Sequence, residues 1–473
     1  MATKERRATL YAAIWRWHRY AGLFVLPFVL ILAVTGGIYL FKPQIEHFEE
    51  RHFTALATAG AVAASRQAEA ALAAFPGARF GNYRLPERPG DAAMLTLRLP
   101  GDGGTRQVFV APEGEVLGSL DPKARVAEVA KKIHSQLLLG PRGSWLVELA
   151  ASWAFVLMAS GLYLWWPRGR RLAGVLWPRR GARGRLRWRD LHAVTAFWLF
   201  GLVAVLLLTS LPWTSVWGGA FQKLRVELGL VQGSPEWTLG GEPPAPALDP
   251  AALPLGGEAP ADPHAGHHAG HHGGMKMPAE HVPDLVMLDA MVEKAKEAKL
   301  PFPVHVAPPA GLGRFGVPTD AVWTVFSDTQ NRPRQRTLTF DAETAALLDD
   351  RSYDGGNPID RVIGIGIAWH EGQLFGWPNQ LAGVLTALGV LAIAASGLLM
   401  WRQRPLPPDG GQRLLPSGGK RAPPPARMGG ALGILVVLAA LLPLLALSLA
   451  VLLLFDLLLR PLLNRFMRRR HAT

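Results

Sequence analysis

Five uncharged apolar runs constrain the fold of this chain more than any other feature of its sequence. They cover residues 20–41, 149–167, 193–217, 374–401 and 428–455. Each run has about the 20 residues with which a helix crosses ~30 Å of hydrocarbon. A hydrophobic content of 49% in 473 residues is also high for a soluble protein. We therefore predict a mainly α membrane protein that is embedded in the lipid bilayer.

The net charge of +14 is concentrated in short segments beside the apolar runs. Nine arginines lie within residues 167–190, five basic residues lie within 1–19, and six lie within 402–428. The positive-inside rule places such segments in the cytoplasm. This distribution argues against a nucleic-acid partner and predicts a bacterial inner-membrane protein with a cytoplasmic N-terminus. The large loops at about 43–144 and 218–369 are then periplasmic.

The first four runs form a tandem duplication. One set of residues recurs with identical spacing at the second and fourth runs, where His134, Gly140 and Ser160-Gly161 match His370, Gly376 and Ser396-Gly397. Another set recurs at the first and third runs, where His18 and Thr35 match His192 and Thr209. Two copies that align without gaps predict one unit used twice. Each unit has two transmembrane helices, which together make a four-helix core. The last run is expected to add a fifth helix. The alternative is a bent or re-entrant segment, because a single span would place the arginines that follow it outside the cytoplasm.

Each large loop has the pattern of a small α+β domain. Helices are predicted at 61–74 and 288–298, single strands at 94–99 and 321–326, and hairpins at 108–117 and 338–347. The chain then divides into a first transmembrane helix (1–42), a first periplasmic domain (43–130), a second helix (131–167), a basic cytoplasmic loop (168–190), a third helix (191–217), a second periplasmic domain (218–365), a fourth helix (366–402), a cytoplasmic loop (403–427), and a fifth helix with a basic tail (428–473).

Metal ligands in this chain can come only from histidine, methionine or oxygen, because the chain has no cysteine. A Pro-, Gly-, Ala- and His-rich insert at 235–283 contains a cluster of five histidines and two methionines, namely His264, His267, His268, His271, His272, Met275 and Met277. Imidazole suits Cu(II), Ni(II) and Zn(II), and thioether suits Cu(I). Copper is therefore the favoured metal, because the insert has ligands for both of its oxidation states. The alternative is a low-complexity linker with adventitious metal affinity.

Four of the 14 histidines occupy equivalent positions in the two repeats. His18 and His192 begin two spans at the cytoplasmic face, and His134 and His370 precede the other two at the periplasmic face. Two opposing imidazoles can hold a flat macrocycle through its iron, so the pattern indicates two b-type haems, one in each leaflet. The alternative is ordinary polar residues at helix ends. Two histidines per repeat, at opposite faces, favour haem ligation.

Haem propionates need cationic partners at each face. The candidates are Arg16, Arg19 and Arg189 on the cytoplasmic side and Lys131, Lys132 and Arg142 on the periplasmic side. The alternative for them is membrane anchoring or solvated surface charge. Glu148 lies in the second span without a counterpart, since Val384 takes the equivalent place. It is expected to pair with an arginine, to carry a proton, or to extend towards the interface.

Several motifs resemble those of the PepSY-associated transmembrane helix family, which includes PiuB-like and FoxB-like ferrisiderophore reductases. They are Trp17-His-Arg-Tyr-Ala-Gly-Leu23 with Thr35-Gly36, His134 with Gly140, Gly161-Leu-Tyr-Leu-Trp-Trp-Pro167, and His370 with Gly376. The resemblance covers nearly the whole chain. It implies four core helices, periplasmic PepSY domains, two b-type haems and reduction of periplasmic ferric chelates. The His-rich insert and the last apolar run depart from the family pattern.

The leading hypothesis is a membrane-bound ferric-chelate reductase that passes electrons to a ferric siderophore or another ferric chelate. The sequence has no G-x-G-x-x-G fingerprint after a strand, so a cytoplasmic protein or a quinol must supply the electrons. A second hypothesis is a haem cytochrome subunit that delivers electrons to copper or to a periplasmic redox protein. A third has no redox role and makes the PepSY-like domains a binding or inhibitory module.

Overall fold

The computed structural model describes residues 2–101, 103–167, 172–231, 285–403 and 429–455, and only the backbone of residues 2–9. Its helices are α1 (Ala2–Tyr39), α2 (Lys42–Glu49), α3 (Ala64–Ala74), α4 (Val126–Gln136), α5 (Pro141–Trp165), α6 (Gly184–Ser210), α7 (Val216–Glu227), α8 (Leu285–Glu297), α9 (Pro358–His370), α10 (Trp377–Arg402), α11 (Gly429–Leu441) and α12 (Pro443–Leu454). The strands are β1 (Arg79–Arg84), β2 (Ala93–Arg98), β3 (Thr105–Val110), β4 (Val116–Leu120), β5 (Val304–Ala307), β6 (Trp323–Ser327), β7 (Arg336–Phe340) and β8 (Leu347–Ser352).

Within these ranges, four helices are long and apolar enough to cross a membrane: α1, α5, α6 and α10. They pack in a closed ring, because α1 contacts α5 and α10, and α6 contacts the same two helices. Leu208, Leu385 and Leu388 are exposed on the outside of this bundle, where only lipid can cover them. The prediction of a mainly α membrane protein with a four-helix core is confirmed.

The last apolar run forms two short helices instead of the single fifth helix that the sequence suggested. Leu442 separates α11 from α12 with an extended backbone, and Pro443 begins α12. Proline has no N–H to continue the α11 hydrogen bonds, so it stands at the start of a new helix. The junction packs on the bundle, where Leu442 and Leu445 contact Leu211. Each of the two helices is shorter than the roughly 20 residues of a straight span.

The segments that connect the two spans of each repeat share one antiparallel sheet, in the order β4-β3-β2-β1-β5-β6-β7-β8. The two halves join where β1 pairs with β5, with Tyr83 opposite Val306 and Arg84 opposite His305. The sequence predicted the helix, the single strand and the hairpin of each α+β domain, but it missed β1 and β5. The two predicted domains are therefore one structural unit.

Side chains alternate across this sheet, as the period of a β-strand requires. Tyr83, Leu95 and Val306 point outward into a core that α3 and α8 cover. Those two helices are also tied together, because Ser65 donates from its N–H and its hydroxyl to the Asp289 carboxylate at 2.8 and 2.7 Å. Phe109 lies on the opposite face, outside that core. The inner face of the sheet is thus turned towards the helical bundle.

Two short helices connect the sheet to the bundle. The sequence assigned residues 131–167 and 366–402 to single transmembrane helices, but in the structure α4 ends before α5 and α9 ends before α10. Gly140 and Gly376 stand at equivalent breaks with φ of 60° and 66°, which glycine adopts without strain. His134 and His370 lie in the last turns of α4 and α9. These breaks place both histidines over the end of the bundle.

Candidate functional site

The four repeat-related histidines come together as two pairs, each with one member from each half of the chain. The ring centroids of His18 and His192 are 6.4 Å apart, with an angle of 87° between the ring planes. Those of His134 and His370 are also 6.4 Å apart, at 80°. The bundle therefore has one imidazole pair near the sheet and one at its far end. The duplication relates the two members of each pair, because His18 is equivalent to His192 and His134 to His370.

Each imidazole is oriented by a hydroxyl from a neighbouring spanning helix. The Nδ1 atoms of His18, His134, His192 and His370 lie 2.8, 3.2, 3.4 and 3.2 Å from the hydroxyl oxygens of Ser160, Thr35, Ser396 and Thr209, respectively. Nδ1 of His192 also lies 2.9 Å from the Ile393 carbonyl oxygen. These hydroxyls belong to the Ser-Gly pairs and the threonines that revealed the repeat.

The same hydroxyls determine which ring nitrogen carries the proton. Ser160, Thr35, Ser396 and Thr209 each donate their single hydroxyl hydrogen to the carbonyl four residues earlier, at 2.6–2.8 Å. Each oxygen can then only accept from the imidazole, so the proton resides on Nδ1. The lone pair is left on Nε2. A metal-binding histidine is held in this way, with one nitrogen fixed by a hydrogen bond and the other free to ligate.

Burial keeps the sheet-side imidazoles neutral. It lowers the pKa of His134 to about 4. Burial, and next the charge of His134, lowers the pKa of His370 to about 3. Both rings are therefore unprotonated on Nε2 at pH 7, as metal ligation requires.

Two cavities surround the pairs. The distal cavity, at the end of the bundle away from the sheet, has a volume of about 1250 Å³ and contains His18 and His192 among aromatic side chains that include Trp15 and Trp165. The sheet-side cavity has about 1090 Å³ and extends from His134 and His370 to the inner face of the sheet. Both volumes exceed the roughly 300–1,000 Å³ that is usual for small-molecule and cofactor sites. Each imidazole pair therefore faces a space in which a large flat group can lie.

Of the predicted cationic partners on the distal side, Arg19 fits best. It lines the distal cavity, and its Nη2 is buried without a hydrogen-bond partner among the described residues. Arg189 lines the same cavity but donates to the Asp190 carboxylate at 2.8 Å. Arg16 is absent from the described lining. The Arg19 guanidinium also lies over the rings of Trp15 and Tyr20. A buried N–H group without a hydrogen-bond partner is costly, and an anionic group in the cavity would satisfy Nη2.

On the sheet side the predicted partners fit less well. Lys131 lines the cavity but forms an ion pair with Glu128, and the described lining does not include Lys132 or Arg142. The residue that the sequence missed is Arg332, which lines the cavity and has a buried Nε without a partner in the described part of the chain. It lies in an irregular segment packed on α9. Arg332 belongs neither to a repeated motif nor to an apolar run, so no signal in the sequence identified it as a cofactor-binding residue.

Glu148 has backbone partners. It is 2% exposed, and its carboxylate accepts from the N–H groups of Val216 and Trp217 at 2.8 and 2.9 Å. Those groups begin α7, where a helix has N–H groups without internal partners. Glu148 therefore anchors α7 to α5, and no arginine partner is needed to explain its burial.

Among the described residues, no three His, Asp or Glu side chains are grouped to hold a metal ion. The His-rich insert, with His264, His267, His268, His271, His272, Met275 and Met277, lies outside the described residues. The imidazole pairs are thus suited to a group that brings its other metal ligands with it. A haem iron, with four porphyrin nitrogens, is such a group.

A family model described as the PepSY-associated TM region matches residues 15–404. The chain belongs to the PepSY-associated transmembrane family. No curated protein sequence matches it as a relative. The region matched to the PepSY-associated family contains all four paired histidines and their hydroxyl partners. It ends before α11 and α12.

Glycines in this PepSY-associated protein leave room for the rings. A Cβ atom on Gly36 would lie 3.0 Å from Cε1 of His134, whereas one on Gly37 would meet only Ala387, at an ordinary 3.9 Å. We expect Gly36→Ala to displace the His134 ring and weaken retention of any ligand of this pair by about 10–100-fold, the range seen when metal-ligand orientation is disturbed. Gly37→Ala, the same change one residue along, should have no such effect. Cofactor content of the two purified variants gives the measurement, and equal content would contradict the role of Gly36.

Proposed function

We propose that this protein is a two-haem membrane oxidoreductase that transfers electrons to a ferric chelate outside the cytoplasm. The proposal rests on one observation above all, which is that two imidazole pairs with the same geometry occupy the two ends of a four-helix bundle. Membership of the PepSY-associated family supports a membrane role. The identities of the electron acceptor and the electron donor are also proposed.

The spacing of the rings supports haem ligation. A histidine nitrogen lies about 2 Å from a bound metal and the ring centroid ~1.1 Å further back, so imidazoles on both sides of one iron have centroids about 6 Å apart. Both pairs have 6.4 Å. An ordinary packing contact between two rings has no reason to repeat that distance at both ends of the bundle.

Haem bound at each pair would supply a one-electron redox centre. The protein's own contribution is then orientation and insulation. Ser160, Thr35, Ser396 and Thr209 hold the four rings with Nε2 available. Arg19 and Arg332 provide buried cationic nitrogen for the propionates, one in each cavity. The aromatic wall of the distal cavity keeps water from the flat faces of the macrocycle.

The direction of transfer follows from the charge distribution. The positive-inside rule assigns the basic segments around the distal cavity to the cytoplasm, so the sheet-side cavity opens to the periplasm. A cytoplasmic protein or a quinol then supplies electrons at the distal pair. The sheet-side cavity, bounded by the inner face of the sheet, provides the place where a ferric siderophore or another ferric chelate is reduced. Iron released in the ferrous state binds such chelators less tightly.

Absorbance spectroscopy tests the proposal directly. The purified full-length protein should carry two low-spin b-type haems per chain, with spectra that change on adding dithionite. Deleting residues 235–277 should leave haem content unchanged while lowering copper or nickel binding, because no imidazole of the two pairs lies there. A folded wild-type protein without haem would refute the proposal, and haem loss on the deletion would show that a ligand lies in the insert.

A further inference from the structure

The distal and sheet-side cavities meet at four aliphatic residues. Val29, Ala154, Val203 and Val390 are the residues that line both cavities within the described part of the chain. One comes from each spanning helix, in the order α1, α5, α6 and α10. Since these helices close a ring, the four residues lie around the level at which the two cavities adjoin. We call these four residues the partition.

The partition is built from equivalent positions of the two repeats. Val29 follows His18 at the same sequence spacing at which Val203 follows His192. Ala154 and Val390 likewise follow the sheet-side histidines of their own repeats at one shared spacing. The duplicated architecture that pairs the histidines therefore also brings these four residues to that level. Three of the four are valine, a β-branched residue that is stiff in a helix.

No charged residue interrupts the helices near this level. The sequence has none from 20 to 41, from 149 to 167, from 191 to 217 or from 374 to 401. Val29 lies about 16 Å along α1 from His18 and about 9 Å from Thr35, at ~1.5 Å per residue. Protons cross a membrane protein through water chains or titratable side chains, and an aliphatic layer offers neither. Electrons need no such groups to cross one layer of side chains.

We propose that Val29, Ala154, Val203 and Val390 form a water- and proton-tight partition between the two halves of the electron relay. This proposal rests on the proposed function, because a proton barrier matters where electrons must cross the membrane without protons. Electrons would then move from the distal to the sheet-side half while no proton follows through the chain. Each transferred electron carries net charge across the membrane.

Proton permeability of liposomes containing the purified protein tests the partition. With a potassium gradient, valinomycin and an internal pH dye, wild-type vesicles should take up protons no faster than protein-free vesicles. Val203→Asn and Val390→Asn place an amide at the partition and should raise the rate several-fold, because a polar side chain there can hold water. The matched control is Val205→Asn, which makes the same change on the same helix at a residue that is 40% exposed on the outer surface.

The outcomes separate the partition from the proposed function. Wild-type vesicles that take up protons faster than protein-free vesicles would overturn the partition, even if the haem spectrum is intact. The same would follow if a folded Val203→Asn/Val390→Asn double variant leaked no more than wild type. Proton-tight wild-type protein that contains no haem would leave the partition standing and refute the function. Because the wild-type comparison needs no substitution, the test remains valid if a variant does not fold.

Discussion

Replacing His134 with alanine should reduce the haem content from two per chain to one. The Thr35 hydroxyl lies beside Nδ1 of His134, whose ring faces His370, and a haem at this pair would keep only one of its two imidazole ligands after the substitution. His18→Ala should remove the other haem and spare the sheet-side one. The measurement is haem per chain by extraction, together with the spectrum of what remains. Because the two pairs lie at opposite ends of the bundle, the double variant should be colourless.

Two other histidines in the sheet-side cavity provide matched controls. His47 and His305 line the same cavity, but neither has a partner in the other repeat. His305 is buried, with its ring stacked on Phe326 and its Nδ1 beside the Asn82 amide oxygen. His47→Ala and His305→Gln should retain both haems. If either lost as much haem as His134→Ala, ligation by the repeat-related pair would be wrong.

Dithionite-reduced wild-type protein should be reoxidised by ferric citrate or a ferric siderophore, with one ferrous ion formed for each electron lost. In His134→Ala this reoxidation should disappear, although the distal haem is still present and reducible. The reason is geometric, because of the two cavities lined by the described residues the sheet-side one extends out of the bundle to the sheet. A ferrous-specific chromophore and the haem absorbance can be followed in the same sample.

The same assay distinguishes the leading function from its alternative. Gly37→Ala, which leaves the His134 ring undisturbed, serves as the active control. Ferric chelates that leave the reduced wild type unchanged, while a copper salt or a periplasmic redox protein oxidises it rapidly, would contradict the reductase function. That result would instead support a cytochrome subunit with another acceptor.

The spans and the histidine pairs could be predicted because they depend on simple periodicities. Apolar length identifies a spanning helix, and two copies of one spacing place His18 with His192 and His134 with His370. The sequence also marked Ser160 and Thr35 as repeat positions. Their contact with the imidazoles could not be predicted, because it depends on how far each helix is rotated about its axis. The number of residues between a histidine and a hydroxyl does not determine that rotation.

Other features depend on contacts between distant segments. Strand β5 has only four residues, and β1 contains Gly81 and Asn82, so neither has a strong strand pattern. Arg332 enters the sheet-side cavity from an irregular segment, and Glu148 is explained only by the position of α7. The break at Leu442 was marked by Pro443, yet a proline can also be tolerated within a membrane helix. Local sequence alone therefore does not determine how these strands pair, where Arg332 and Glu148 lie, or whether the helix breaks at Leu442.

The pairing of β1 with β5 also imposes an order of assembly. When the first half of the chain has been synthesised, β1 is an unpaired edge of a four-stranded sheet, with Tyr83 and Arg84 awaiting partners that arrive only at Val306 and His305. Two spanning helices, α5 and α6, must be inserted before those partners exist. An open edge of this kind can bind any exposed strand. The junction can therefore close only after α5 and α6 are in place, and its closure commits both halves of the duplicated chain to each other.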